Sequence, residues 1–210
     1  MKDLAASGLE PGESLALELT RVQRQIEMIY QLEPTPPIAP FVRIEADATR
    51  EQLIVRQSAD FVEIIVLLSE ASLEALITKD AVANMDAYLE AIEGISHFIH
   101  IAERTRTELP TTLLELELQA EVDKFAILTA GMLSLPAEEL FSLHRRLYED
   151  VRFLHASATE RGQRYRLANG LAAKLWSQLI NRAEDDARRE TLRRFYRASQ
   201  AEKIRMVLVA

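Results

Sequence analysis

The chain has 210 residues, with 33 acidic against 25 basic side chains and no cysteine. That length lets a single core bury roughly 70% of the unfolded surface without a disulfide or metal staple, and the missing thiols exclude cysteine catalysis, cysteine-based zinc sites and a disulfide framework. Six glycines and seven prolines exclude collagen-like and low-complexity chains, and a net charge of −8 favours solubility without specifying a fold.

The N-terminal stretch is acidic and has no apolar run behind a basic start, so no secretory leader is expected. No uninterrupted apolar run approaches the roughly 20 residues that span a bilayer. Together with the absence of cysteine, this predicts a cytoplasmic bacterial protein without a membrane span.

From Glu13 to Leu32 the apolar residues Leu15, Leu17, Leu19, Val22, Ile26, Ile29 and Tyr30 form a broad stripe at helical spacing. The helix must stop before Pro34, which lacks an amide donor and restricts the residue before it. Pro34, Pro36, Pro37 and Pro40 then predict a stiff connector, or a proline-rich ligand for a partner groove. The expected organisation is an N-terminal helix (1–33), a connector (34–40) and a main helical domain (41–210).

Two β-branched runs, 52–57 and 61–68, flank the short polar insert Ser58-Ala59-Asp60 and predict a β-hairpin over about 51–68. Residues 41–45 can add a third strand. A hairpin alone is marginal in water, so this one is expected to pack on helices.

The rest reads as helix: 72–78; 80–109, stopped by Pro110; 112 to about 133 or 135, opened by the capping-box pair Thr112 and Glu115; then Pro136 in a first turn capped by Ser134, running to Leu154. A break is expected near 155–162. A last helical stretch runs from Arg164 to about Val207, with a possible second break near 181–186. Gly170 lies inside this apolar period and reads as a close-packing glycine. The expected fold is mainly α, a bundle of about five to seven helices with a packed β-hairpin.

No nucleophile elbow, phosphate-binding loop, dinucleotide fingerprint or His-Glu-x-x-His pattern occurs. One constellation stands out. Asp86, Glu90, Glu93 and His97 form one helical stripe, and Glu117, Glu121 and Lys124 follow the same spacing on the next helix. A short connection at Pro110 makes the two helices antiparallel neighbours. Carboxylates and imidazole from facing helices are what a ferritin-like di-metal enzyme uses, so Glu90, Glu93, His97, Glu117 and Glu121 are the candidate metal ligands. The pattern departs from that site in having Glu-x-x-x-His, and only once.

Residues 1–140 hold 25 acids and 10 bases, residues 141–210 hold 8 acids and 15 bases. The expectation is that the arginine-rich tail neutralises the acidic stripe internally, along a polar seam. The alternative is that Arg188, Arg189, Arg193, Arg194 and Arg197 bind nucleic acid. Lys203 and Arg205 extend the same basic surface around Phe195 and Tyr196. The apolar end, Met206 to Ala210, is expected to dock on the body or on a partner. With no catalytic motif and no cofactor expected, the leading functional expectation is a non-catalytic adaptor or regulatory subunit that binds a protein partner or a second copy of itself.

Overall fold

A computed structural model describes residues 11–45, 51–57, 62–78, 84–129, 135–181 and 185–209. In chain order they form α1 (Pro11–Tyr30), a 3-10 turn (Ala39–Phe41), β1 (Val42–Ile44), β2 (Gln52–Gln57), β3 (Val62–Leu68), α2 (Glu70–Thr78), α3 (Met85–Arg106), α4 (Leu113–Thr129), α5 (Ala137–Tyr148), α6 (Glu160–Ile180), α7 (Asp185–Arg197) and α8 (Gln200–Val209). The architecture is mainly helical with one small sheet. The described residues hold eight α-helices, because the final stretch breaks twice.

α3 and α4 form the centre. α3 packs on α1, α2, α4 and the sheet, and α4 packs on α1, α3, α5 and α6. Each is therefore apolar or internally paired around most of its circumference, which a one-sided helical stripe does not anticipate. From Ala91 to Ile101, Glu93 alone of the α3 residues is not buried. The core runs from Leu19, Val22, Ile26 and Tyr30 of α1 through Ile92, Ile95 and Phe98 to Phe125, Trp176 and Phe195.

The sheet order is β1-β3-β2. β2 and β3 pair antiparallel, as the hairpin reading expects, with Leu53 opposite Val66; the expected loop at 58–60 lies outside the described residues. The third strand exists, but it runs parallel to β3 on the far side and makes β3 central, with Val42 opposite Val66. Val66 and Leu68 face α3 at Gly94. A Cβ there would lie 2.9 Å from Val66 Cγ1, 3.0 Å from Glu51 Cγ and 3.1 Å from Leu68 Cδ2, all on the tight side of van der Waals contact. Gly94 thus lets helix and sheet approach closely. Gly170 is not a close-packing position: α6 passes straight through it, but a Cβ would meet nothing within 4 Å.

The proline connector is docked on α1. The Gln23 amide donates to Thr35 Oγ1 (2.8 Å) and Pro36 O (2.9 Å), and its oxygen accepts from Ile38 N (2.9 Å). Glu27 accepts from both the amide and the hydroxyl of Thr35. α1 ends with Gln31 in the left-handed region (φ 51°) and Leu32 N donating to Glu27 O. α3 ends the same way at Glu108 (φ 55°), with Leu109 N on Arg104 O, so it stops three residues before the expected Leu109. α4 is described to Thr129, and its expected end at about 133 or 135 lies outside the described residues.

α5 starts after Pro136, which acts as its N-cap rather than its first turn; the expected cap Ser134 lies outside the described residues. It ends at Tyr148, six residues before the expected Leu154. The chain from 149 to 158 instead folds back on the start of α6. There Thr159 Oγ1 caps the helix by accepting from Gly162 N at 3.0 Å. Arg166 fixes that loop by donating to His155 O and Gly162 O (both 2.9 Å) while its guanidinium lies 4.6 Å from the Phe153 ring. No helix of the described residues is long and apolar enough to cross a membrane.

Candidate functional site

The structure brings the predicted stripe of α3 to the predicted stripe of α4. Lys124 sits between them: its ammonium donates to Glu93 Oε2 and Glu121 Oε1, each at 2.7 Å. Burial alone would lower its pKa, but the charges of Glu121 and Glu93 outweigh this and hold it above the ordinary lysine value. An internal cation therefore lies between two members of the carboxylate group, Glu93 and Glu121.

One turn further along α3 lies His97, only 6% exposed. Its Nδ1 lies 3.2 Å from Glu51 Oε1, and since a carboxylate only accepts, Nδ1 is the donor. Its Nε2 faces Glu117 Oε2 at 3.9 Å. Neither of these two buried atoms has a hydrogen-bond partner. Burial would push the imidazole down, but the Glu51 hydrogen bond and the charges of Glu51, Glu93 and Glu117 bring its pKa up to about 9. Glu117 shifts upward instead: burial and the nearby Glu93 and Glu51 outweigh His97 and Arg164. Arg164 Nε lies 3.5 Å from Glu117 Oε1.

Glu51, Glu93 and His97 each place one potential ligand atom within 4.8 Å of the other two. Of the five candidates read from the sequence, Glu93 and His97 belong to this trio and Glu117 borders it. Glu121 is held by Lys124, and Glu90 accepts from Ser72 Oγ at 3.2 Å. Glu51 was not among them. It precedes β2, and the sheet carries it across Gly94 to the imidazole, a pairing with no periodic signature.

A cleft of about 530 Å³ opens beside this group, between α3, α4, α6 and the 149–158 loop. Glu90, Glu93, Glu121 and Lys124 lie along one wall, with Phe153, Leu154 and Tyr165 opposite. Burial and the charges of Glu93 and Glu117 push the Tyr165 hydroxyl up to about 12.

The late arginines are not the partners of the acidic stripe. Arg164 on α6 reaches Glu117, but α7 packs on α1, away from the stripe. Arg188 is buried and donates to Leu179 O, and Arg197 donates to Tyr30 O and Gln31 O. Arg188, Arg189 and Arg193 line a groove against α1, whereas Arg194 and Arg197 border a depression with Arg205 towards α8. The basic helix is split between two faces instead of presenting one stripe.

Lys203, expected on that basic surface, is fully buried. It donates to Gln119 Oε1 at 2.9 Å and lies over the Phe195 and Tyr196 rings. Gln119 in turn donates to Asp123, which also accepts from Tyr30 and Ser96 at 2.5 Å each. This network ties α1, α3, α4 and α8 together. Val207 also docks in the core, while Leu208 and Val209 stay exposed.

Comparison of the chain with protein-family models, curated proteins and solved structures finds no match.

Proposed function

We propose that the protein binds a single divalent metal ion through Glu51, Glu93 and one ring nitrogen of His97, with the adjoining cleft as the route to it. The observation that carries this reading is the meeting of three ligand atoms within 4.8 Å beside a buried imidazole nitrogen and a buried carboxylate oxygen that have no partner. Buried polar atoms without hydrogen bonds are uncommon and call for a ligand, an ion or a water. A donor set of one imidazole and carboxylates suits zinc, manganese or iron rather than a soft thiophilic ion. Glu117 then serves as the outer carboxylate that orients a metal-bound histidine. Lys124 limits the site to one metal, because its ammonium already bridges Glu93 and Glu121.

Elemental analysis of protein purified without chelator, followed by titration of the stripped protein with zinc and manganese, tests this. About one equivalent is expected, reduced in H97A and E51Q. Less than a tenth of an equivalent, with no saturable binding, would overturn it.

A second reading, a protein-binding module, rests on different surface. Ile44, Ile54 and Val55 of the sheet and Leu208 and Val209 of α8 are exposed apolar side chains. Sedimentation across a concentration series tests self-association through them; a strictly monomeric species removes that form of the reading.

A further inference from the structure

The metal reading leaves unused the groove between α1 and α7. It encloses about 450 Å³, the size of a small-molecule site. Four arginines line it, Arg21 from α1 and Arg188, Arg189 and Arg193 from α7, and no acidic residue does among the described residues. Arg21 is paired with Glu18 at 2.6 Å, so the arginines of α7 carry the positive excess, a local reversal of sign in a chain of net charge −8. Arg193 Nε is buried and makes no hydrogen bond.

The rest of the lining is hydrocarbon in character. Met28, Ile29, Ala126 and Leu192 supply it, and Met28 stands 69% exposed at the mouth. The polar atoms that remain are mostly engaged. The Thr129 hydroxyl donates to Phe125 O, and the Trp176 ring NH donates to Val122 O. Gln25 adds one side-chain amide, its Oε1 3.5 Å from the Arg21 guanidinium, and no exposed ring of the lining offers a stacking surface. The lining thus matches a ligand with an anionic head and an aliphatic body.

We infer that this groove binds a free single-chain carboxylate amphiphile of the fatty-acid type, its head on Arg189 and Arg193 and its chain over Met28, Ile29 and Leu192. Guanidinium groups pair carboxylates in a planar, two-pronged geometry that an ammonium cannot match. The inference stands apart from the metal site, which lies on other faces of α3 and α4.

Trp176 is the single tryptophan and lines the groove, so its emission reports occupancy directly. The full chain is titrated with decanoate, decanol and inorganic phosphate, each alone. Decanoate is expected to shift the emission saturably with one site. Decanol and phosphate should each bind at least about tenfold more weakly, because each supplies only half of the match. R189E and M28E change exposed side chains, so folding is preserved, and each should weaken decanoate by about tenfold. No saturable change with decanoate overturns the inference, as does decanoate binding unaltered in both variants. Phosphate binding as tightly as decanoate would make the groove a simple anion site, and decanol binding as tightly would make it an unselective apolar one. Co-sedimentation with anionic vesicles but no response to free decanoate would assign it to a membrane surface. Each of these three results also overturns it.

Discussion

Glu51 reaches His97 across the one residue of α3 that lacks a side chain: Gly94 lies beneath Glu51 Cγ, and the carboxylate ends 3.2 Å from His97 Nδ1. A methyl group at position 94 would press on Val66, Leu68 and Glu51 together. G94A is therefore expected to destabilise the fold by about 1–3 kcal/mol, as overpacking does, and to lower the His97 pKa by displacing its partner. Denaturant melts and an NMR titration of His97 measure the two effects. A variant as stable as wild type, with an unchanged imidazole, would remove Gly94 from this role.

His97 also sets a pH dependence. Its pKa of about 9 in the folded chain stands above the ordinary 6.5. Between those values the native state keeps a proton that the unfolded state has released, so stability falls as pH rises through this window. The contribution is complete below about pH 6.5 and gone above about pH 9, and it amounts to roughly 3 kcal/mol at most. Melts of wild type and H97Q from pH 6 to 10 should converge as pH rises. Parallel curves would contradict the pairing.

Lys124 neutralises two carboxylates that are themselves mostly buried. Removing one partner of such a group leaves uncompensated charge and costs about 3–5 kcal/mol. K124M should show that loss at neutral pH and recover much of it below about pH 4, where carboxylates protonate. It should also gain metal-binding capacity, because the internal cation is gone. Calorimetric titration with manganese of both proteins checks the stoichiometry.

Lys203 behaves in the opposite sense. Burial, only partly offset by Glu115 and Asp123, lowers its pKa to about 7 from the ordinary 10.5. Between these values the unfolded state binds the extra proton, so this group lets stability rise with pH, and its penalty is complete below about pH 7. K203M removes the penalty at the expense of the Gln119 hydrogen bond. The variant should be more stable by about 1–3 kcal/mol at pH 6, the gain expected when a poorly compensated buried charge becomes apolar. The gain should vanish near pH 10.5. A destabilised variant at pH 6 would mean that the ammonium is better paired than its neighbours suggest.

The helices, the sheet and the facing of Glu93, His97, Glu117 and Glu121 were legible from spacing alone, because periodicity and proline positions are local signals. The third strand was legible but its direction was not, since parallel pairing with β3 depends on where the chain goes between them. Glu51 was invisible for the same reason: it lies 46 residues from His97, and the sheet brings it there. Lys203 was read as part of a basic surface, and Asp123 carried no signal of its own. α4 has neighbours on nearly every side, so a polar residue there becomes an internal hydrogen-bonding group instead of a solvated one. The seam between the acidic stripe and the late arginines failed because α7 docks on α1; charge totals fix the attraction between segments but not which surfaces meet.

The two carbonyls that close α1, those of Tyr30 and Gln31, are held by the guanidinium of Arg197, 167 and 166 positions downstream. Tyr196 stacks 4.5 Å from the Tyr30 ring at the same place. During synthesis the first helix thus leaves the ribosome long before the groups that finish its end exist. A nascent chain must carry that apolar segment unfinished until α7 has been made, and a product cut short ahead of α7 would leave the Tyr30 ring without its Tyr196 neighbour.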